Sequence, residues 1–137
     1  VFMGVLTDRR KALLDRLSRS VSIYHPPPMT VVHYAHIASQ AKIALHLRLK
    51  DEWPYTSPMR HLSLLHCDTY IVSEKCPLPD ELDDFVERVA IDDLETVLHE
   101  RLADPDLVLK AQRRKAAFMR HGALKRDFLE LLSASFD

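Results

Sequence analysis

Lys42 to Glu74 reads KIALHLRLKDEWPYTSPMRHLSLLHCDTYIVSE, and this stretch decides the fold. Ile43, Ala44, Leu45 and Leu47 make a short apolar run that ends at the charged Arg48 and Lys50. A run of that length with polar borders fits a strand buried on both faces. Asp51 to Thr56 follows as a loop and holds the only tryptophan, Trp53. Ser57-Pro58 then opens a helix over 57–66, with serine at the N-cap and proline at the first helical position, where its missing N–H costs nothing. Met59, Leu62 and Leu65 recur at three-residue spacing and are expected on one helix face. Thr69, Tyr70, Ile71 and Val72 are β-branched or aromatic and predict the next strand. The unit is strand, loop, helix, strand. In a parallel sheet it brings the residues just past each strand to one edge, where ligands of open α/β sheets sit.

Outward from this unit the same alternation continues. Val1 to Leu6 reads as a first buried strand, with Gly4 allowing close backbone approach. Thr7-Asp8 can cap a helix over Arg9 to Leu17, and Val21 to Tyr24 reads as a second short strand. His25-Pro26-Pro27-Pro28 stops regular structure, because each proline fixes φ and removes a donor. Thr30 to Ser39 predicts a short helix. After Glu74 the texture becomes acidic and proline-containing to Asp84, and Phe85 to Ile91 is a candidate last strand. Asp92-Asp93 opens a helix to about Ala103, with Leu94, Val97, Leu98 and Leu102 on its stripe. Asp104-Pro105 restarts a helix that runs to the end through Leu124, Phe128, Leu131 and Leu132, with Gly122 placed to break or bend it. The predicted architecture is α/β. It is a single Rossmann-like domain over residues 1–137, a three-layer sandwich with a long C-terminal helix and about five mostly parallel strands. The strands fall near 2–6, 21–24, 42–47, 69–73 and 86–90.

Composition narrows the function classes. Lys plus Arg total 19 against 20 Asp plus Glu, so the formal net charge is −1. That balance argues against a nucleic-acid binder, which needs a basic surface. No apolar run approaches the roughly 20 residues of a membrane span, and the N-terminus lacks the flanks of a signal peptide. The two cysteines, Cys67 and Cys76, suggest a reduced, cytoplasmic protein. Only two glycines occur, Gly4 and Gly122, which excludes a glycine-rich phosphate loop. A chain that opens on strand residues reads as a piece of a longer protein. His33 and His36 are three apart, but no third ligand stands nearby, and the spacing of Cys67 and Cys76 matches no zinc motif. No metal is expected at these four residues, and no cofactor.

The residues expected at the sheet edge carry the chemistry. Thr7 and Arg10 follow strand one, His25 strand two, Arg48 strand three and Glu74 strand four, while Arg60 and Ser63 lie one turn apart on the intervening helix. Cations, hydroxyls and one carboxylate on one edge suit an anionic, hydroxyl-rich ligand such as a nucleotide sugar. Arginine suits a diphosphate because its planar fork binds oxygens bidentately. The plainer reading is that every parallel sheet carries polar residues at its strand ends, and that Arg9 and Arg10 form a solvated helix face.

The same stretch resembles the C-terminal half of GT-B glycosyltransferases, in particular the bacterial CgeB-like group. That group carries a K-I-x-L-N-x-H strand, a loop, R-x-x-E-A-x-A-x-G, a hydrophobic strand and S-E. Lys42, Ile43, Leu45, Arg60, Cys67, Ser73 and Glu74 fall on this pattern. His46 stands where asparagine is common, Arg48 where histidine is, Ser63 where a glutamate is expected, and Asp68 replaces a glycine. The run G-x-x-x-x-R-R-x-x-L-L-x-x-L from Gly4 resembles the opening of the same domain. The resemblance implies a nucleotide-sugar donor site with Arg10, His46, Arg48, Arg60, Ser63 and Glu74 as substrate-binding residues. It also implies a partner, either a second, N-terminal Rossmann half or another chain, without which no turnover is expected. The absent glutamate at Ser63 favours, as alternative, a non-catalytic module for protein association. A small flavodoxin-like or receiver-like domain is the third reading, although the acidic pair of a receiver is missing beside Asp8.

Overall fold

The computed structural model describes residues 1–79 and 81–121. It is an α/β fold in which, among the described residues, five α-helices surround a three-stranded parallel sheet. In chain order these are α1 Asp8–Leu17, α2 Val31–Gln40, β1 Ile43–His46, α3 Pro58–Leu65, β2 Tyr70–Glu74, β3 Glu87–Val89, α4 Leu94–Ala103 and α5 Leu107–His121. A 3₁₀ turn, Asp83–Phe85, precedes β3. The sheet order is β1-β2-β3, with His46 opposite Ser73 and Ser73 opposite Arg88.

Every residue of β1 and β2 is buried, so alternate side chains feed two cores. Ile43, Leu45, Tyr70 and Val72 pack with Leu13, Leu14 and Leu17 of α1 and Leu94 and Leu98 of α4. Ala44 and Ile71 face the other way, against Ala38 of α2 and Leu64 and Leu65 of α3. Helix α5 serves both cores, through Leu107 and Ala111 on one and Phe118 on the other. Lys115 of α5 also pairs with Asp68, just before β2.

Three strands form rather than about five. Phe2 makes one isolated parallel bridge to Leu45, and its N–H donates to the Tyr24 carbonyl at 2.9 Å. The order at this level is therefore 21–24, 1–3, β1, β2, β3, but the two outer segments never become ladders. Their backbone groups are used elsewhere. The Val21 N–H donates to Leu17 O and closes α1. The chain bends at Gly4, and the prolines from Pro26 cannot extend the 21–24 segment.

The helix 57–66 forms as Pro58–Leu65, but its buried face is His61, Leu64 and Leu65, with Met59 69% exposed. Residues three apart fall about 60° short of a full turn, so Met59 and Leu65 diverge by about 120°, whereas the 61, 64, 65 spacing stays on one stripe. The expected C-terminal helix begins as α5; Gly122, Leu124, Phe128, Leu131 and Leu132 lie outside the described residues. No described helix is long and apolar enough to cross a membrane.

Candidate functional site

Glu74 is the last residue of β2 and is 1% exposed. Arg9 Nη1 donates to its Oε2 at 3.0 Å, and Arg9 Nη2 to Oε1. The backbone N–H of Arg48 donates to Oε2 and Arg48 Nε to Oε1, each at 2.9 Å. Two carboxylate oxygens offer about four lone-pair positions, so Glu74 is saturated by protein donors. Burial alone would raise its pKa; the donors from Arg9 and Arg48 outweigh it and hold the carboxyl below its ordinary range. Arg9 also pairs with Asp51, and Arg48 Nη1 donates to the carbonyls of Asp51 at 2.9 Å and Trp53 at 3.2 Å. Glu74 thus ties the start of α1 and the loop after β1 to the end of β2.

Arg10 lies in the buried stripe of α1, at the first of positions 10, 13, 14 and 17. Its Nη2 donates to Leu47 O at 2.6 Å, Nη1 to Val5 O at 2.9 Å and Nε to Arg48 O at 3.0 Å. Thr7 caps the helix by accepting from the Arg10 N–H. Burial and the charges of Arg60 and Arg9 lower the Arg10 pKa to about 10, so it stays cationic at pH 7. No carboxylate reaches it among the described residues. Its cation is held by carbonyls that end two neighbouring strand segments.

Arg60 occupies the first turn of α3 and is half-buried. Its guanidinium makes no hydrogen bond or ion pair with the described residues. It lies against the backbone of Gly4, where a Cβ would stand 2.9 Å from Arg60 Nη1 and 2.8 Å from Phe2 Cζ. Gly4 follows the 1–3 segment, so Arg60 sits where that segment meets β1. The chain order reverses between these two segments, which is where open α/β sheets form a ligand crevice. Ser57 makes no side-chain cap on α3; Pro58 has no N–H, and the Arg60 and His61 N–H groups donate to Ser57 O at 3.1 and 3.3 Å. Tyr34 of α2 stands nearby; burial raises its phenol pKa and the Arg60 charge opposes the rise. His25 reaches across to Gly4 O at 2.9 Å and stacks on Phe2. Among the described residues this edge carries the guanidinium groups of Arg9, Arg10, Arg48 and Arg60 and the carboxylates of Glu74 and Asp51, which pair with Arg9 and Arg48.

Beneath the edge lies a buried polar row that the pattern of the sequence did not single out. His46, Ser73 and Arg88 are lateral neighbours on β1, β2 and β3, and His61 of α3 sits over them. His46 Nδ1 and His61 Nε2 are 2.6 Å apart, and His61 Nε2 and Ser73 Oγ 3.0 Å. Arg88 Nη1 donates to Ser73 Oγ at 3.0 Å and to Thr56 Oγ1 at 2.8 Å, and its other nitrogens pair with Asp83. Burial and the charges of His61, Arg60, Arg10 and Arg88 hold His46 well below the ordinary histidine range, so it is neutral at pH 7.

Of the six residues expected to contact a ligand, the fold brings five to one edge in different states. Arg48 and Glu74 are engaged with each other, Arg10 is buried among carbonyls, and His46 is 1% exposed and bonded to His61. The Arg60 guanidinium has no hydrogen-bond or ion-pair partner among the described residues. Ser63 is exposed and donates back to Met59 O at 2.8 Å within its own helix. Arg9 and His61 were not foreseen as organising groups. The signal for His61 was its i, i+3, i+4 spacing with Leu64 and Leu65; Arg9 had none, because its partner lies 65 residues away. The thiols of Cys67 and Cys76 donate to backbone carbonyls, and no metal-binding cluster of three His, Cys, Asp or Glu occurs among the described residues. Comparison of the chain with family models, with curated proteins and with solved structures found no significant match.

Proposed function

We propose that this chain is the donor-binding half of a GT-B-like glycosyltransferase and holds the diphosphate of a nucleotide sugar at the carboxyl edge of its sheet. The observation that carries the reading is Arg60, a half-buried guanidinium without a partner among the described residues, beside Gly4 at the end of the 1–3 segment. Burying an uncompensated cation is costly, and an anion in the crevice removes that cost. Bidentate hydrogen bonds from Arg60, the dipole of α3 and the field of Arg10 all favour a diphosphate there. The same groups stabilise the charge that develops on a departing nucleoside diphosphate. Glu74 then acts by holding Arg9 and Arg48 rather than by touching the donor. The layout is read as Rossmann-like, with its outer strands reduced to the segments 1–3 and 21–24. The acceptor site and the general base belong to a second Rossmann half or a partner chain, and the setting is cytoplasmic.

One observation favours the association-module reading. Val5, Leu6, Trp53, Tyr55, Met59 and Leu78 are exposed on the loops and first helical turn of the same edge. A rim of that kind suits contact with another protein surface.

Calorimetric titration with uridine and guanosine diphosphate sugars tests the proposal, using the longest natural chain that contains this sequence. Arg60→Ala is expected to weaken binding by roughly 1.5–3 kcal/mol, the range for a hydrogen bond to a charged group. Equal affinities would remove Arg60 from the site. Absence of binding to wild type would leave the association module.

A further inference from the structure

We infer that the His46–His61 contact is an acid-sensitive latch that holds α3 on β1 while the pair shares a single proton and releases it when both imidazoles are protonated. The geometry is specific. Nδ1 of His46 and Nε2 of His61 face each other at 2.6 Å, with the rings at 85°. One N–H fits between two nitrogens at that distance, donated by either ring. A second would set two N–H groups head to head. The pair can therefore hold one added proton by sharing it, but not two.

The charges around His46 do not relax this limit. His46 and His61 are 1% and 0% exposed, so neither ring can turn to water without moving its element. The charged groups acting on His46 are His61 and Arg60 from α3, Arg10 from α1 and Arg88 from β3, all of which disfavour a cation there. Arg88 is itself paired with Asp83, and Ser73 on β2 links it to His61. From α2 the nearby group is the neutral Tyr34.

Release of the latch reaches the sheet edge through adjacent residues. His61 follows Arg60 on α3, Ser73 precedes Glu74 on β2, and His46 lies two residues before Arg48. Each element gives one residue to the buried row and a neighbour to the edge. Parting His61 from His46 displaces the first turn of α3, and with it Arg60 from Gly4.

The sign follows from proton counts. Unfolded, both histidines titrate near pH 6.5 and bind two protons below it; folded, the pair binds at most one. Folding therefore releases a proton below about pH 6.5, and stability is complete above that value and falls as pH drops. Between pH 7.5 and 5.5 the folding equilibrium constant of the wild type is expected to fall up to about tenfold more than that of His46→Asn, given an ordinary value one unit above the lower pH. Asparagine accepts from His61 but does not titrate. Urea unfolding of both proteins at the two pH values measures the difference, and an equal change in both overturns the inference. If His46→Asn does not fold, the imidazole Cε1–H resonances of the wild type decide it. Both rings becoming cationic with an unchanged native spectrum overturns the latch. At most one doing so before α3 amides lose protection supports it.

Discussion

Arg48 meets Glu74 twice, through its backbone N–H to Oε2 and its Nε to Oε1, both at 2.9 Å. The end of β1 is thereby held to the end of β2 by charge as well as by the ladder, and Arg9 completes the grip from α1.

Glu74→Gln keeps the shape but takes the buried carboxylate from Arg9 and Arg48 and leaves them the exposed Asp51. Removing one partner of a buried ion pair costs about 3–5 kcal/mol, and a loss near the lower end is expected because Arg9 and Arg48 stay 16% and 15% exposed. Urea denaturation measures it. The wild-type contribution is present above the ordinary carboxyl value of 4.5 and is lost as pH falls through the lowered folded value. The gap between wild type and variant should therefore close in acid. A gap independent of pH would show that the charge of Glu74 is not what stabilises the edge.

Arg10→Met preserves the apolar stem and removes donors from the carbonyls of Val5, Leu47 and Arg48. Each buried acceptor left unsatisfied costs about 1–3 kcal/mol. A total loss of about 3 kcal/mol is expected, since water can reach the outer carbonyls. Arg10→Lys should fall between, because one ammonium cannot span three carbonyls in a fixed fork. Thermal melts of the three proteins give the order.

Gly4→Ala places a methyl 2.8 Å from the ring of Phe2, which is 0% exposed, and 2.9 Å from Arg60. Arg60 can swing away; the Phe2 ring is packed in the core. Overpacking of this kind costs about 1–3 kcal/mol. The double variant Gly4→Ala, Arg60→Ala should recover little of it if Phe2 is the obstacle, and most of it if Arg60 is.

Ser63→Ala should be nearly silent. Its hydroxyl is exposed and spent on Met59 O within α3, so a stability change within about 0.5 kcal/mol is expected. Nucleotide-sugar affinity, read by calorimetry, should not change either. A large affinity loss would bring Ser63 into the site.

Local signals in the sequence determined the elements. The apolar run of Ile43 to Leu47, the β-branched run before Glu74, the Thr7 cap and the Pro58 start each act over a few residues, and each is where it was expected. The tertiary structure decided what those elements carry. Val21 had strand-like neighbours, yet its N–H closes α1, and that choice depends on where the sheet edge falls. Arg10 and His61 sit at apolar-stripe positions, and a cation or imidazole can take such a position only where carbonyls or a second imidazole stand opposite. Glu74 could be placed at the edge from sequence, but not its saturation by Arg9 and Arg48, which are 65 and 26 residues away. Periodicity encodes which face is buried because it is a property of neighbours along the chain. Partnership between charges is a property of neighbours in space, and only the folded chain brings them within hydrogen-bond distance.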